Sequence, residues 1–151
     1  MIERVEPTDI GVAWEPNAPM AVMATNDDGL TALALNAHPA DSDRRSVVLL
    51  WRGTRSATMA DPNDEAISGH RLYEKGLREV LWVGTVENSA LVDALERQNR
   101  VHPLHDAAAF RSLVHQVVVL KECVVEVIAR SLTVQRSSAQ PAEAAFAALA
   151  S

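Results

Sequence analysis

Apolar runs separated by polar turns dominate the first third of the chain and predict strands. The runs MAVMAT and LTALALNA are of strand length and are separated by NDDG, and an Asp-Gly pair between such runs is typical of a β-hairpin. We therefore predict two antiparallel strands with Asn26 to Gly29 as their turn. The run SVVLLWR, at 46–52, is apolar and rich in branched residues, which predicts a central strand covered on both faces.

The spacing of apolar residues changes near Ser89. REVLWVGTVEN, at 78–88, alternates as a strand does. In SALVDALERQNR the apolar residues recur at helical spacing. Ser89 is a favourable N-cap, and Glu96 with Arg100 forms an i, i+4 pair. The pattern predicts a helix from about Ala90 to Asn99.

Two β-branched runs surround Lys121 and Glu122 in LVHQVVVLKECVVEVIARSLTV, which predicts a long hairpin over 113–134 with its turn at these two residues. The segment 137–151 is rich in Ser, Pro and Ala. It is expected to be a tail or a short helix that begins at Pro141, with Phe146 and Leu149 as its apolar anchors.

These elements predict a single globular domain over 1–136. Its first 18 residues are expected to be an irregular lead-in, because proline and glycine interrupt them often. The fold class predicted is α+β, with a mainly antiparallel twisted sheet or a partly closed β-barrel of about six strands. One helix at about 90–99 and short helical turns near 62–68 and 103–110 complete it.

Composition narrows the class of protein. The chain has 151 residues and a formal charge of −6, which argues against nucleic acid as a partner because phosphate backbones attract clustered Lys and Arg. Cys123 is the one cysteine, so an intramolecular disulfide is excluded. The chain has neither a leader-like start nor an apolar run long enough to cross a membrane. We therefore expect a cytoplasmic protein without membrane contact.

The segment DPNDEAISGH, at 61–70, has two interpretations. As a capped helix, Asp61 is the N-cap, Pro62 the first helical residue and Gly69 the stop, while the acidic residues face the positive end of the helix dipole. Capping leaves His70 and Tyr73 unexplained. As a reaction centre, a carboxylate near His70 would fix its tautomer and raise its pKa, as a general base requires.

The acid–base hypothesis predicts a cavity that encloses the candidate groups. The predicted catalytic residues are His70, Tyr73, His102, Asp64 and Glu65, in which one of the two carboxylates orients an imidazole. The predicted ligand-binding residues are Asn63, Asn99 and Glu126. Glu126 shares a strand face with apolar neighbours, so it is expected either at an edge or rim position or, if buried, with a partner.

Three segments resemble a group of small, largely uncharacterised bacterial proteins. The segments are DPNDEAISGHRLYEKGL, ENSALVDALERQNRVHP and LVHQVVVLKECVVEVIA, which carry a PNDEA, GHxLYxxGL and NxxHP pattern over about residues 61 to 130. In the related pattern the last hairpin carries a His-Asp pair before Ser/Thr, Phe, Glu and Cys. Glu122 and Cys123 match it, whereas the His-Asp pair is absent. The resemblance implies no established activity, but it singles out seven polar residues: Asn63, Asp64, Glu65, His70, Tyr73, Asn99 and His102.

Three functions follow as hypotheses. The first is a small-molecule-binding or acid–base catalytic cavity near His70, Tyr73 and His102. The second is a non-catalytic homo-oligomer in which strands or apolar faces pair between subunits. The third is a metal site that uses His102, His105 and a carboxylate, with no metal ligand set assigned. No phosphate loop, dinucleotide fingerprint or HExxH motif occurs in the sequence, and the sequence predicts neither a cofactor nor a substrate.

Overall fold

The computed structural model describes residues 1–41 and 45–150. The strands in this part of the chain are β1 Arg4–Thr8, β2 Val22–Thr25, β3 Leu30–Asn36, β4 Ser46–Arg52, β5 Ser56–Ala60, β6 Val83–Glu87, β7 Val114–Val119, β8 Val124–Ala129 and β9 Ser131–Ser137. The α-helices are α1 Ala90–Asn99, α2 Ala107–Arg111 and α3 Pro141–Leu149. Short 3-10 turns cover Asp64–Gly69, Tyr73–Lys75 and Leu77–Glu79.

The strands form two antiparallel sheets. One sheet has the order β1-β6-β7-β8-β5 and the other has the order β2-β3-β4-β9. These sheets confirm the predicted α+β class and the antiparallel pairing. The alternative of a partly closed barrel is wrong, because each sheet ends in two edge strands within the described residues, and nine strands replace the six expected.

The main core lies between the two sheets. Leu33 and Leu49 of one sheet pack in the same buried cluster as Val118 of the other, as expected for strands whose inward positions alternate. Trp51 and Gln116 join the sheets through a buried hydrogen bond, in which the indole Nε1 donates to Oε1 at 2.8 Å. The predicted hairpin β2–β3 and the central strand β4 are confirmed.

Helix α3 covers the outer face of the smaller sheet. Ala144, Ala145 and Ala148 are buried against alanines of β3, so small side chains on both surfaces let helix and sheet pack closely. The helix begins at Pro141, as predicted. Its expected anchor Phe146 is 68% exposed, which corrects that part of the prediction: the alanine face, not the aromatic ring, holds the tail.

The segment 61–80 covers the outer face of the larger sheet. Its buried residues Leu72, Leu77 and Val80 cluster with Val86 and Val117 of β6 and β7. The segment forms three short 3-10 turns instead of one helix. It delivers His70 and Arg71 to the surface of β8.

Three predicted boundaries differ from the structure. Residues 1–18 are not irregular throughout, because β1 pairs with β6 as an edge strand that tolerates Pro7. The predicted strand at 78–88 shortens to β6, since Leu77–Glu79 forms a 3-10 turn. The predicted hairpin at 113–134 is β7 and β8 only; after Arg130 the chain enters the other sheet as β9.

Among the described residues, no helix is both long enough and apolar enough to cross a membrane.

Candidate functional site

A polar cluster lies on the outer face of the larger sheet, among valines. His115 of β7 and Glu126 of β8 point to this face, because Val117 pairs with Glu126 and His115 pairs with Ile128 in the antiparallel register. The two side chains are therefore diagonal neighbours. His115 is 1% exposed. Glu126 is on an interior strand, not at the predicted edge, and its side chain is 12% exposed. Groups this buried require polar partners.

Four N–H groups surround the Glu126 carboxylate. Arg71 donates from Nη1 to Oε2 at 2.8 Å and from Nη2 to Oε1 at 2.6 Å. His115 Nε2 lies 2.8 Å from Oε1, and His70 Nε2 lies 3.4 Å from Oε2. The paired arginine contact is the planar fork that matches a carboxylate best. Each oxygen thus faces two donors, and the partner expected for a buried Glu126 is present.

The carboxylate stays ionised. Burial alone would raise the pKa of Glu126, but hydrogen bonds from His115 and Arg71, with the charge of Arg71, hold that pKa well below its usual range. An ionised Glu126 can only accept hydrogen bonds. His115 therefore carries a proton on Nε2, and in the neutral ring Nδ1 is an acceptor.

His70 is the second imidazole of the cluster. The 3-10 turn Asp64–Gly69 places it, with Asn63 as the N-cap whose side chain accepts the Ala66 N–H at 3.1 Å. The His70 Nδ1 accepts the Leu72 N–H at 3.0 Å, so a neutral ring carries its proton on Nε2, toward Glu126. Burial lowers the pKa of His70, and Glu126 opposes this shift.

This shift predicts a pH dependence of stability. A histidine whose folded pKa is lowered stabilises the fold above its unfolded pKa of 6.5, and that stability is lost as the pH falls. We expect urea denaturation to show a smaller free energy of unfolding at about pH 5.5 than at about pH 7.5. In His70→Asn, which keeps an acceptor for the Leu72 N–H, this loss should be smaller. Equal losses in both proteins would contradict the prediction.

Ser89 extends the cluster toward solvent. It caps α1 directly after β6, where the predicted N-cap is confirmed: its Oγ accepts the Val92 N–H at 3.1 Å. The same oxygen lies 2.7 Å from His115 Nδ1. The preceding Asn88 has φ of 55°, a left-handed conformation that L residues seldom adopt. A continuous chain of hydrogen bonds thus runs from Ser89 through His115 to Glu126.

Ser89 also borders a cleft between β6, α1 and α2. The cleft has a volume of about 530 Å³. Its lining includes Arg97, Arg100 and Arg111, together with Asp93 and Glu96. Arg100 is engaged by Glu96, at 2.8 Å between Nη2 and Oε2. Among residues 1–41 and 45–150, no carboxylate lies within ion-pair distance of Arg97 or Arg111.

The structure brings together only some of the predicted site residues. His70 and Glu126 meet in the cluster around Arg71. Tyr73 lies next to them in sequence, but its ring contacts the Arg78 guanidinium at 5.4 Å. Asp64 and Glu65 are exposed in the first turn after Asn63. Their predicted role of orienting an imidazole is corrected, because Glu126 is the carboxylate that faces His70.

His102 and Asn99 belong to a different part of the surface. They line a second cleft of about 560 Å³, together with Arg55 and Phe110. The exposed His102 accepts the Leu104 N–H through Nδ1 at 3.0 Å, and Asn99 Nδ2 lies 2.9 Å from His105 Nδ1. The expected single cavity around His70, Tyr73 and His102 is therefore replaced by a buried cluster and two clefts.

The metal hypothesis required a third ligand beside His102 and His105. The two rings make separate contacts, and His105 Nε2 lies 3.4 Å from Glu96 Oε1. Within the described part of the chain, no group of three or more His, Cys, Asp or Glu side chains is arranged to hold a metal ion.

Sequence reasoning missed Arg71 and His115 and assigned Ser89 only a capping role. A signal for His115 existed: it shares one strand face with Val117 and Val119, and it is the polar residue among them. No comparable signal marks Arg71, because its place depends on how 61–80 crosses the sheet. Comparison with protein-family models, with curated proteins and with solved structures found no match to this chain, so the motif resemblance stays a prediction.

Proposed function

We propose that the protein binds a small anionic molecule in the cleft between α1 and α2, beside an acid–base group. The observation that carries this proposal is the hydrogen-bonded chain from Ser89 to Glu126, which ends at the wall of a cleft of about 530 Å³. Cavities of about 300 to 1,000 Å³ are typical of small-molecule sites. His70 and Arg71 hold the far end of the chain, so the predicted acid–base function moves to His115.

The charge of the cleft supports an anionic ligand. The chain as a whole carries a formal charge of −6. Within this cleft, Glu96 is paired with Arg100, and Arg97 and Arg111 have no ion-pair partner among the described residues. Asp93 opposes one of these two charges, so the three arginines and two carboxylates of the lining leave one net positive charge. Two unpaired guanidinium groups at one cleft suit a carboxylate or a phosphate, since their forked donors match both.

Binding is tested by NMR titration of the ¹⁵N-labelled protein with a panel of aromatic carboxylates and phosphate monoesters. We expect saturable shifts at amides of α1 and α2. Arg111→Gln should weaken the affinity for the best panel member by about tenfold, because it removes one charged donor. Arg136→Gln, on β9 in the other sheet, is the matched control and should leave that affinity unchanged.

The absence of saturable shifts, or an affinity that ignores Arg111→Gln, would overturn the proposal. In that case the hypothesis of a non-catalytic homo-oligomer would be favoured. Sedimentation velocity on the same sample would test that hypothesis by measuring the size of the species in solution.

A further inference from the structure

We propose that Ser89 is a nucleophile that accepts an acyl group from a small anionic ester, with His115 as its base. This inference rests on the proposed function, because the ester would occupy the same cleft. Ser89 is 6% exposed and is the member of the hydrogen-bonded chain that borders the cleft. Ser89 would then have a chemical role in addition to capping α1.

The geometry is that of an activated hydroxyl. The Ser89 Oγ lies 2.7 Å from His115 Nδ1, and His115 Nε2 lies 2.8 Å from Glu126 Oε1. A nucleophile, a base and a carboxylate that orients the base are the three parts this chemistry requires, and they are recognised by geometry and not by order in the sequence. Arg71 fixes the carboxylate from the other side.

The hydrogen bonds of Ser89 also support its role as a nucleophile. Its oxygen already accepts the Val92 N–H, so its own proton is available to the acceptor nitrogen of a neutral His115. A hydroxyl oxygen has two lone pairs. One is used by the cap, and the other remains for attack on a carbonyl carbon.

The local backbone holds this oxygen in place. The left-handed Asn88, at φ of 55°, turns the chain sharply between β6 and α1. Its side chain donates to the Ile2 carbonyl at 3.0 Å, and Glu3 accepts the Ala90 N–H at 2.7 Å. Asparagine adopts this conformation more readily than most other non-glycine residues. The contacts of Asn88 and Ala90 with Ile2 and Glu3 therefore stabilise the turn that places Ser89 at the cleft.

The reaction balances with water as the second substrate. The Ser89 oxygen bonds to the ester carbonyl carbon while its proton passes to His115 Nδ1. The ester C–O bond then breaks, and the leaving alkoxide takes the proton from Nδ1 as an alcohol. Water attacks the acyl-serine, gives a proton to Nδ1, and the carboxylic acid leaves as the proton returns to Ser89.

The probe for this step is a fluorophosphonate that carries a carboxylate, read by intact mass and by peptide mapping. We expect one adduct, on Ser89, which a binding member of the carboxylate panel slows. Ser89→Gly, which removes the hydroxyl but keeps a tolerated N-cap residue, should give no adduct. Ser112→Gly removes an exposed serine beside α2 and should label at the wild-type rate.

The role of His115 is tested by the rate of labelling. In His115→Gln the rate should fall at least about a hundredfold, and circular dichroism checks that this variant folds. If it does not fold, the labelling rate is measured against pH in the wild type and in His70→Asn, and the same rise with pH in both proteins assigns the base to the other imidazole of the cluster. A rate that follows hydroxide concentration alone would overturn the assignment of His115.

The outcomes separate the two proposals. Panel ligands that bind without any adduct on Ser89 would overturn the acyl transfer and leave the binding function standing. An adduct that persists in Ser89→Gly, or that maps to another serine, would also overturn it. If the panel ligands do not bind and the probe does not label Ser89, both proposals are overturned.

Discussion

Replacing Glu126 with glutamine is expected to lower the free energy of unfolding by about 2 to 4 kcal/mol near neutral pH. Arg71 donates to both carboxylate oxygens, His115 donates to Oε1, and His70 Nε2 lies 3.4 Å from Oε2. Glutamine puts an NH₂ group in place of one oxygen. Whichever oxygen it replaces, an Arg71 N–H then faces another donor, and the hydrogen-bonded pair that holds the half-buried carboxyl group is lost. The loss is measured by urea denaturation.

At low pH the wild-type protein and Glu126→Gln should have similar free energies of unfolding. Because the folded pKa of Glu126 is held below the ordinary value of 4.5, its carboxylate stabilises the fold above that value, and the contribution is lost as the pH falls below it. The wild-type advantage over Glu126→Gln should therefore shrink below about pH 4.5. Glu122→Gln makes the same chemical change at an exposed turn residue and should shift stability by less than about 0.5 kcal/mol. Equal effects of the two substitutions would show that the buried cluster does not stabilise the fold.

The elements that sequence predicts well are those set by local chemistry. The hairpin β2–β3 has a turn whose residues favour reversal. Helix α1 combines helical spacing with the Ser89 cap. By contrast, nothing local marks the end of β8, since Arg130 and Ser131 carry no turn signal, and the chain changes sheets there because the packing of the two sheets requires it.

The candidate site shows the same division. The residues of 61–70 attracted interest because acidic and imidazole groups lie close in sequence, but the N-cap there is Asn63 and not the predicted Asp61. The carboxylate that meets His70, however, is Glu126, which lies 56 positions along the chain. The contact between His70 and Glu126 depends on the register of β7 against β8 and on the path of 61–80 across these strands. Neither is readable from a single sequence.

The path of 61–80 across the sheet depends on Gly76. Its φ is 120°, a conformation that L side chains rarely adopt, and a Cβ there would overlap the carbonyl oxygen of Val5 in β1. Gly76→Ala is therefore expected to lower the free energy of unfolding by more than about 3 kcal/mol, through backbone strain and displacement of the edge strand. Gly69→Ala is the control, because nothing lies within 4 Å of a Cβ at that position. It should change stability by less than about 0.5 kcal/mol.

The same substitution should disturb the polar cluster. Gly76 ends the turn Tyr73–Lys75 and lets the chain pass close to β1, while Arg71 and His70, a few residues earlier, reach across to Glu126 on β8. If an added methyl group moves the segment away from β1, the distances from Arg71 and His70 to Glu126 should change. In Gly76→Ala the histidine ring signals in a ¹H–¹⁵N NMR spectrum should therefore shift for His70, whereas in Gly69→Ala they should stay in place. A stable Gly76→Ala protein with unshifted His70 signals would show that the segment is held by its buried leucines alone.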